Sequence, residues 1–172
     1  IVNYFKKKKL KYTINFSIEK EPLGTGGAIL NAKKLLKKNF ILLNGDSFLP
    51  EKYNKIIEKF KKSKKKKLII SVYKNKLNPD LKNNIFISKK KIKYYSKNKN
   101  INFNYIDAGV YVIKKRLFTN LNKYNFSFEE FFFQKLINKN EIDFIETKKF
   151  FYDIGTKEKL KRYRRDLKNF FK

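Results

Sequence analysis

The sequence predicts an α/β layered fold, with a largely parallel central sheet and helices on its faces. Three observations predict it. Apolar segments with the two-residue period of strands alternate with segments of helical period. Two short runs, residues 40–43 and 68–73, have the near-continuous hydrophobicity of strands covered on both faces. The chain has 172 residues, 41% hydrophobic and 17% aromatic, which suffices for the core of one domain spanning 1–172.

Each element has a local reason. In 11–18, Tyr12, Ile14, Phe16 and Ile18 alternate and predict a half-buried strand. In 26–37, Ala28, Ile29, Ala32, Leu35 and Leu36 recur at helical spacing. After the strand at 40–43, Pro50 suits a first helical turn, where its missing N–H would be unpaired anyway. Glu51 favours the same helix end, and Tyr53, Ile56, Ile57 and Phe60 supply the apolar stripe. The strand at 68–73 leads into a loop over 75–84 with a turn at Asn78-Pro79-Asp80. Residues 85–88 and 91–95 predict a hairpin, 97–104 a polar connection, 108–113 a strand and 115–122 a short helix. Ser127 and Glu130 have capping-box spacing ahead of Phe131, Phe132, Leu136 and Ile137. Extended segments at 141–147 and 150–152 precede a last helix with Leu160, Tyr163, Leu167 and Phe170 on one face.

Composition removes several kinds of chemistry. With no Cys there is no disulfide framework, thiolate nucleophile or Cys-held zinc. With no His there is no imidazole acid–base catalysis and no Ser-His-Asp triad. No apolar run approaches the roughly 20 residues of a membrane span. The net charge of +29 has two readings, a polyanion-binding surface or a solvated surface enriched in Lys. The second is favoured, because nucleic-acid readers lean on the planar fork of Arg and this chain is far richer in Lys. No specific nucleic acid and no membrane is therefore expected as a partner. The chain contains no Met, so a missing N-terminal part is expected.

Six glycines sit at element junctions, several beside an Asp or a Thr. Leu23-Gly-Thr-Gly-Gly-Ala28 follows one expected strand and opens a helix, where a close backbone and free N–H groups suit a phosphate. It lacks the dinucleotide-binding and P-loop patterns, and a ligand-free turn explains it equally well. Leu43-Asn-Gly-Asp46 ends a buried strand, the edge at which α/β sheets bind ligands. Asp46 there is either a Mg²⁺ ligand or the cap of the next helix, and Asp153 before the last helix has the same two readings. In a chain without His or Cys, a carboxylate-held Mg²⁺ is the metal site most readily built.

In order, Glu21-Pro-Leu-Gly-Thr-Gly-Gly-Ala28, Leu43-Asn-Gly-Asp46, Asp107-Ala-Gly-Val-Tyr111 and Phe151-Tyr-Asp-Ile-Gly-Thr156 resemble the sugar-phosphate nucleotidylyltransferases. The resemblance is nearest to the guanylyltransferases for mannose 1-phosphate and D-glycero-D-manno-heptose 1-phosphate. Phe126-Ser-Phe-Glu-Glu-Phe131 also looks like the heptose branch. The resemblance implies a Rossmann-like nucleotide-binding fold whose N-terminal βαβ portion is absent. The family's Gly-Gly-x-Gly-Thr-Arg-Leu loop and Pro-Lys pair are not in this sequence, so 1–172 alone is expected not to turn over.

The activity implied is transfer of a nucleoside monophosphate from an NTP, favouring GTP, to a sugar 1-phosphate, releasing pyrophosphate. Asp46 and Asp153 match the family's Mg²⁺ ligands and catalytic acidic residues. Leu23, Gly24, Thr25, Gly26, Asn44 and Gly45 match its nucleotide-binding loops. Glu19, or alternatively Glu21, matches the position that reads the base. Lys97, Asp107 and Gly109 fall on the sugar-phosphate side, with Ser96 and Asp107 in place of the family's Glu and Asn. The resemblance further implies a cytoplasmic enzyme making precursors of lipopolysaccharide or other cell-surface glycans, with room for a homo-oligomer. A relative using dTTP, CTP or UTP, an inactive relative and a basic nucleic-acid-binding protein are the competing expectations.

Overall fold

Strand-forming residues build a four-stranded sheet in the computed structural model, which describes residues 1–75, 81–97 and 103–167. The elements are α1 (Val2–Lys6), α2 (Gly24–Asn31), β1 (Asn39–Leu43), β2 (Ser47–Phe48), α3 (Asn54–Lys62), β3 (Leu68–Tyr73), β4 (Ile85–Ser88), β5 (Lys91–Tyr95), β6 (Ile106–Lys114), α4 (Phe128–Asn138), β7 (Ile142–Thr147), β8 (Tyr152–Asp153) and α5 (Lys157–Leu167). The main sheet has the order β1-β6-β3-β7, beside the two-stranded ribbons β2–β8 and β4–β5.

The α/β layering is as expected, but the sheet is mixed. β1, β3 and β7 run the same way, while β6 lies antiparallel between β1 and β3. The cause is the connection. β3 is followed by the β4–β5 hairpin, and a chain returning without a crossover helix comes back antiparallel.

Side-chain alternation distributes the core over the two faces. Leu68, Ile70, Val72, Tyr111 and Ile113 pack with α2, α4 and the hairpin. Ile69, Ala108, Val110 and Val112 pack against Ile56 and Phe60 of α3. The first core is strongly aromatic. Phe128 meets Phe118, Phe132, Phe133 and Tyr111 with ring centroids 5.6–6.0 Å apart, fixing the start of α4 against the sheet.

Several expectations are corrected. The 11–18 segment is not a strand. Tyr12 and Ile18 are exposed and no described strand pairs with the segment, and an alternating pattern without a partner strand makes no ladder. The 40–43 run is a strand but is not covered on both faces. β1 lies at the end of the sheet, and Ile41 and Leu43 are 40% and 49% exposed. Pro50 is not in a helical turn, since α3 starts at Asn54. Glu51 instead accepts from the Thr147 hydroxyl and pairs with Lys55, tying the loop to β7. The helix over 26–37 splits into α2 and a 3-10 turn at Lys33–Leu35, and that over 115–122 shrinks to a 3-10 turn at Lys115–Phe118. The turn at Asn78-Pro79-Asp80 and the stripe residue Phe170 lie outside the described residues.

The capping box is as expected at its first half, with the Glu130 N–H donating to Ser127 Oγ at 3.3 Å. Residues 64–67 hold four lysines, two of which are tied to the turn before β7. Lys67 pairs with Glu141 at 2.7 Å and Lys66 donates to Asn140. No helix among the described residues is long and apolar enough to cross a membrane.

Candidate active site

The two distant aspartates meet. β2 and β8 pair antiparallel with Ser47 opposite Asp153, and the Ile154 N–H donates to the Asp46 carbonyl at 2.7 Å. Tyr163 of α5 packs on this ribbon through Phe48 and Tyr152, with ring centroids 5.2 and 5.3 Å away. Gly155 lies between the carboxylates. A Cβ there would stand 3.2 Å from Asp153 Oδ1 and 3.5 Å from Asp46 Oδ2, so one point lies close to both.

Neither Asp caps a helix. α3 has no side-chain cap, and at the start of α5 the Lys159 N–H donates to Thr156 Oγ1. Asp153 Oδ1 accepts from the Gly155 N–H at 2.9 Å, and Oδ2 is paired with Lys159. Burial works against its charge, but Lys159 and the Gly155 N–H outweigh burial and hold its carboxyl below the ordinary range.

This pair fits Mg²⁺, which takes one or two protein carboxylates and completes its shell with water and phosphate oxygens. The missing side chain of Gly155 leaves the space between them clear. Among the described residues no three acidic, His or Cys side chains gather into a closed metal cage.

Asp46 also lines a cavity of about 760 Å³ at the carboxyl end of β1. Thr25, Asn44, Gly45, Lys97 and Asp107 line it too, so both the expected nucleotide side and the expected sugar side reach one space. Asp153 lines a separate, smaller cavity of about 290 Å³ with Phe150, Lys159 and Arg162. Glu19, Glu21, Leu23, Gly24, Gly26 and Gly109 do not line the large cavity. Glu19 accepts from the Leu23 N–H at 3.2 Å and Glu21 hydrogen-bonds Tyr124. Leu23 is buried, as are Gly26 and Gly109. Gly24 and Gly26 press against Phe126, and the tight approach of this loop is to protein.

Gly109 acts from behind the wall. It has φ +71° in a β-bulge of β6, and its carbonyl accepts from the Asn44 N–H at 3.0 Å. A Cβ there would reach 3.1 Å from Ser47 and 3.2 Å from Asn44, so only glycine lets β6 support the loop that carries Asp46 this closely. Asp107 fastens the bulge, accepting from the Gly109 N–H at 2.9 Å and from the Tyr111 hydroxyl at 2.6 Å.

Burial pushes the Asp107 carboxyl up to about 7 against the pull of those two bonds, with Glu129 raising it further and Lys97 lowering it. A carboxyl raised in the fold keeps its proton after the unfolded chain has lost it, so stability falls as pH rises from about 4 to about 7. Asp107→Asn is expected to flatten that slope in urea unfolding measured at pH 4.5, 5.5 and 7. An unchanged slope would disprove the assignment.

Sequence reasoning missed Glu129 and Tyr111. Glu129 reads as a first-turn acid and Tyr111 as a strand residue, yet both line the cavity. The one signal for Glu129 was a second acid beside Glu130, two residues after a capping Ser and inside a run of Phe.

A layered α/β protein with two neighbouring carboxylates and a cavity at one strand end has the arrangement at which α/β folds bind ligands. More narrowly, the chain belongs to the nucleotidyl transferase family, whose sequence model matches residues 2–169. It is 31% identical over 166 residues to the D-glycero-alpha-D-manno-heptose 1-phosphate guanylyltransferase of Campylobacter jejuni, covering 92% of this chain and 69% of that one. The enzyme of the same name from Aneurinibacillus thermoaerophilus is 31% identical, covering 99% and 74%. Among solved structures, HddC from Yersinia pseudotuberculosis superposes with a TM-score of 0.79 at 27% identity, covering 96% of this chain and 72% of that one. A second structure of HddC, complexed with GMP-PN, gives 0.78.

Proposed function

We propose that the protein transfers GMP from GTP to a sugar 1-phosphate of the manno-heptose or mannose type, releasing pyrophosphate. The observation that carries this reading is the meeting of Asp46 and Asp153 across Gly155, with Asp46 lining a cavity that Lys97 also lines. The guanylyltransferase names of the relatives and the GMP-PN complex of HddC support the guanine and the sugar class.

A phosphate oxygen of the sugar 1-phosphate attacks the α-phosphorus of GTP in line, and pyrophosphate departs. No protein nucleophile is needed, in keeping with a chain lacking Cys and His. Catalysis is positioning and charge neutralisation. Asp46 and Asp153 would hold Mg²⁺, which supplies positive charge against the triphosphate oxygens when bound. Asn44 and Gly45 flank the nucleotide, and Thr25 borders it from α2. Lys97 takes the sugar phosphate, with Asp107 beside the sugar hydroxyls. Glu19 or Glu21 accepts from the N1–H and amino group of guanine. Such a reaction belongs in the cytoplasm, where nucleoside triphosphates and Mg²⁺ are found.

The test is pyrophosphate release by the full-length protein with mannose 1-phosphate and with the heptose 1-phosphate, each offered GTP, dTTP, CTP and UTP. GTP is expected to lead by at least about tenfold, and Glu19→Gln or Glu21→Gln to shrink that lead, since one lost charged hydrogen bond is worth about 1.5–3 kcal/mol. Equal use of the four nucleotides removes the guanine reading; no release with any of them removes the transferase reading.

A further inference from the structure

Glu129 is buried at 5% exposure among the phenylalanines of α4. The helix does not require this. Ser127 already caps it, and exposed Glu130 already places a negative charge in its first turn. The charge is nonetheless retained. Burial opposes it, but its own N–H, the Ser127 and Thr25 hydroxyls and the Lys97 ammonium outweigh burial and hold the carboxyl below its ordinary value.

The bonds have one direction. Glu129 Oε2 accepts from Thr25 Oγ1 at 2.9 Å and from Ser127 Oγ at 2.8 Å, and lies 3.4 Å from Lys97 Nζ. Each hydroxyl is itself oriented from behind. Thr25 Oγ1 accepts from the Phe128 N–H at 2.9 Å, and Ser127 Oγ accepts from Lys97 Nζ at 3.0 Å. One ammonium proton of Lys97 is thus donated into the wall, where the charge also faces Glu129, and the remaining donors are left for the cavity. Lys97 is the one cation among the described residues lining that cavity, which also carries the acidic Asp46, Asp107 and Glu129. An anionic ligand has a single productive anchor there, and the placing of that anchor decides where it sits.

We infer that Glu129 is a positioning residue, whose single buried oxygen fastens Lys97 and Thr25 together and so aims the Lys97 ammonium at the phosphate of a sugar 1-phosphate. This rests on the reading of Lys97 given above. Thr25 belongs to α2 and Lys97 follows β5, so Glu129 joins the nucleotide and sugar walls of the cavity through one atom.

The test is calorimetric binding of mannose 1-phosphate, inorganic phosphate and GTP, without turnover, to the wild-type protein and to Glu129→Gln, Lys97→Met and the double variant. Gln keeps the shape and an oxygen for the two hydroxyls but loses the ion pair. Glu129→Gln is expected to weaken mannose 1-phosphate binding about tenfold, with GTP affinity changed by no more than about twofold. The double variant is expected to bind no worse than Lys97→Met alone, because both substitutions remove one shared arrangement. A wild-type measurement is independent of how the variants fold. The Lys97 ammonium ¹H–¹⁵N signal, assigned by its loss in Lys97→Arg, is expected to be visible, because a held ammonium exchanges slowly. Tighter sugar-phosphate binding in Glu129→Gln, an equal loss for GTP, multiplying effects of the two substitutions or an invisible Lys97 signal would each overturn the inference. So would a wild-type protein that binds neither mannose 1-phosphate nor phosphate. Binding of both substrates by the full-length protein without pyrophosphate release instead refutes the transferase reading and leaves the role of Glu129 standing.

Discussion

Asp46→Asn is expected to lower Mg²⁺-dependent pyrophosphate release by the full-length protein about 10³-fold or more, because the lost charge acts on the transition state of a reaction run by charge neutralisation. Asp153→Asn should fall in the same range. Asn keeps the size of the side chain and the bond from the Gly155 N–H to position 153, so the change is confined to charge. Neither substitution should unfold the protein. Asp46 is exposed, and the Lys159 pair of Asp153 is about one-third exposed on each side, where such a pair contributes at most about 1 kcal/mol. Melting temperature is thus expected to move by no more than about 4 °C. Gly155→Ala gives a third arm, since its methyl would enter the space between the carboxylates and raise the Mg²⁺ concentration needed. Activity within tenfold of wild type in both Asn variants would end the two-carboxylate reading. Loss of activity together with loss of fold would show that the pair is structural.

The parts of this molecule legible in the sequence are those whose cause is local. Ser127 caps α4 three residues ahead of Glu130, and the β4–β5 hairpin is written in two apolar stretches two residues apart. The Asp46–Asp153 meeting was also legible, although the two lie far apart in the chain. The sequence puts each at the end of an extended stretch, and the pairing of β2 with β8 brings the two together.

What escaped depends on neighbours. The direction of β6 is set by the return of the chain through the β4–β5 hairpin, which no residue of β6 records. The exposure of Ile41 and Leu43 follows from the place of β1 at the end of the sheet, and an apolar run reads alike at the end and in the middle. Glu129 looked like helix decoration because its partners, Thr25 and Lys97, come from other elements. The glycine-rich loop has two readings in the sequence, a backbone open to a ligand and a ligand-free turn. Its glycines are required, but by another segment of the protein.

Gly24→Ala is therefore expected to damage stability far more than nucleotide contact. Gly24 has φ +69°, and a Cβ there would stand 2.6 Å from the carbonyl oxygen of Phe126. That oxygen is not free to move. It accepts from the Gly26 N–H at 2.9 Å, while the Phe126 N–H donates to the Leu23 carbonyl at 3.1 Å. The backbones of 23–26 and 126 are thus hydrogen-bonded face to face, with no room for a methyl between them. Left-handed strain and overpacking each cost about 1–3 kcal/mol, so a loss on the order of 3 kcal/mol is expected. For a chain of this size that is roughly 6–12 °C in melting temperature. Gly26→Ala should be as severe, because its Cβ would fall 2.2 Å from the ring of buried Phe126. Gly45→Ala is the internal control. Nothing lies within 4 Å of a Cβ there, and its melting temperature should stay close to wild type. If this loop instead served as a bare backbone cradle for phosphate, Gly24→Ala would melt normally and lose nucleotide affinity. Thermal denaturation of the three variants, read beside GTP affinity, separates the two cases. A Gly24→Ala protein that melts within about 2 °C of wild type would return the loop to the ligand, because a change that small corresponds to only about 1 kcal/mol.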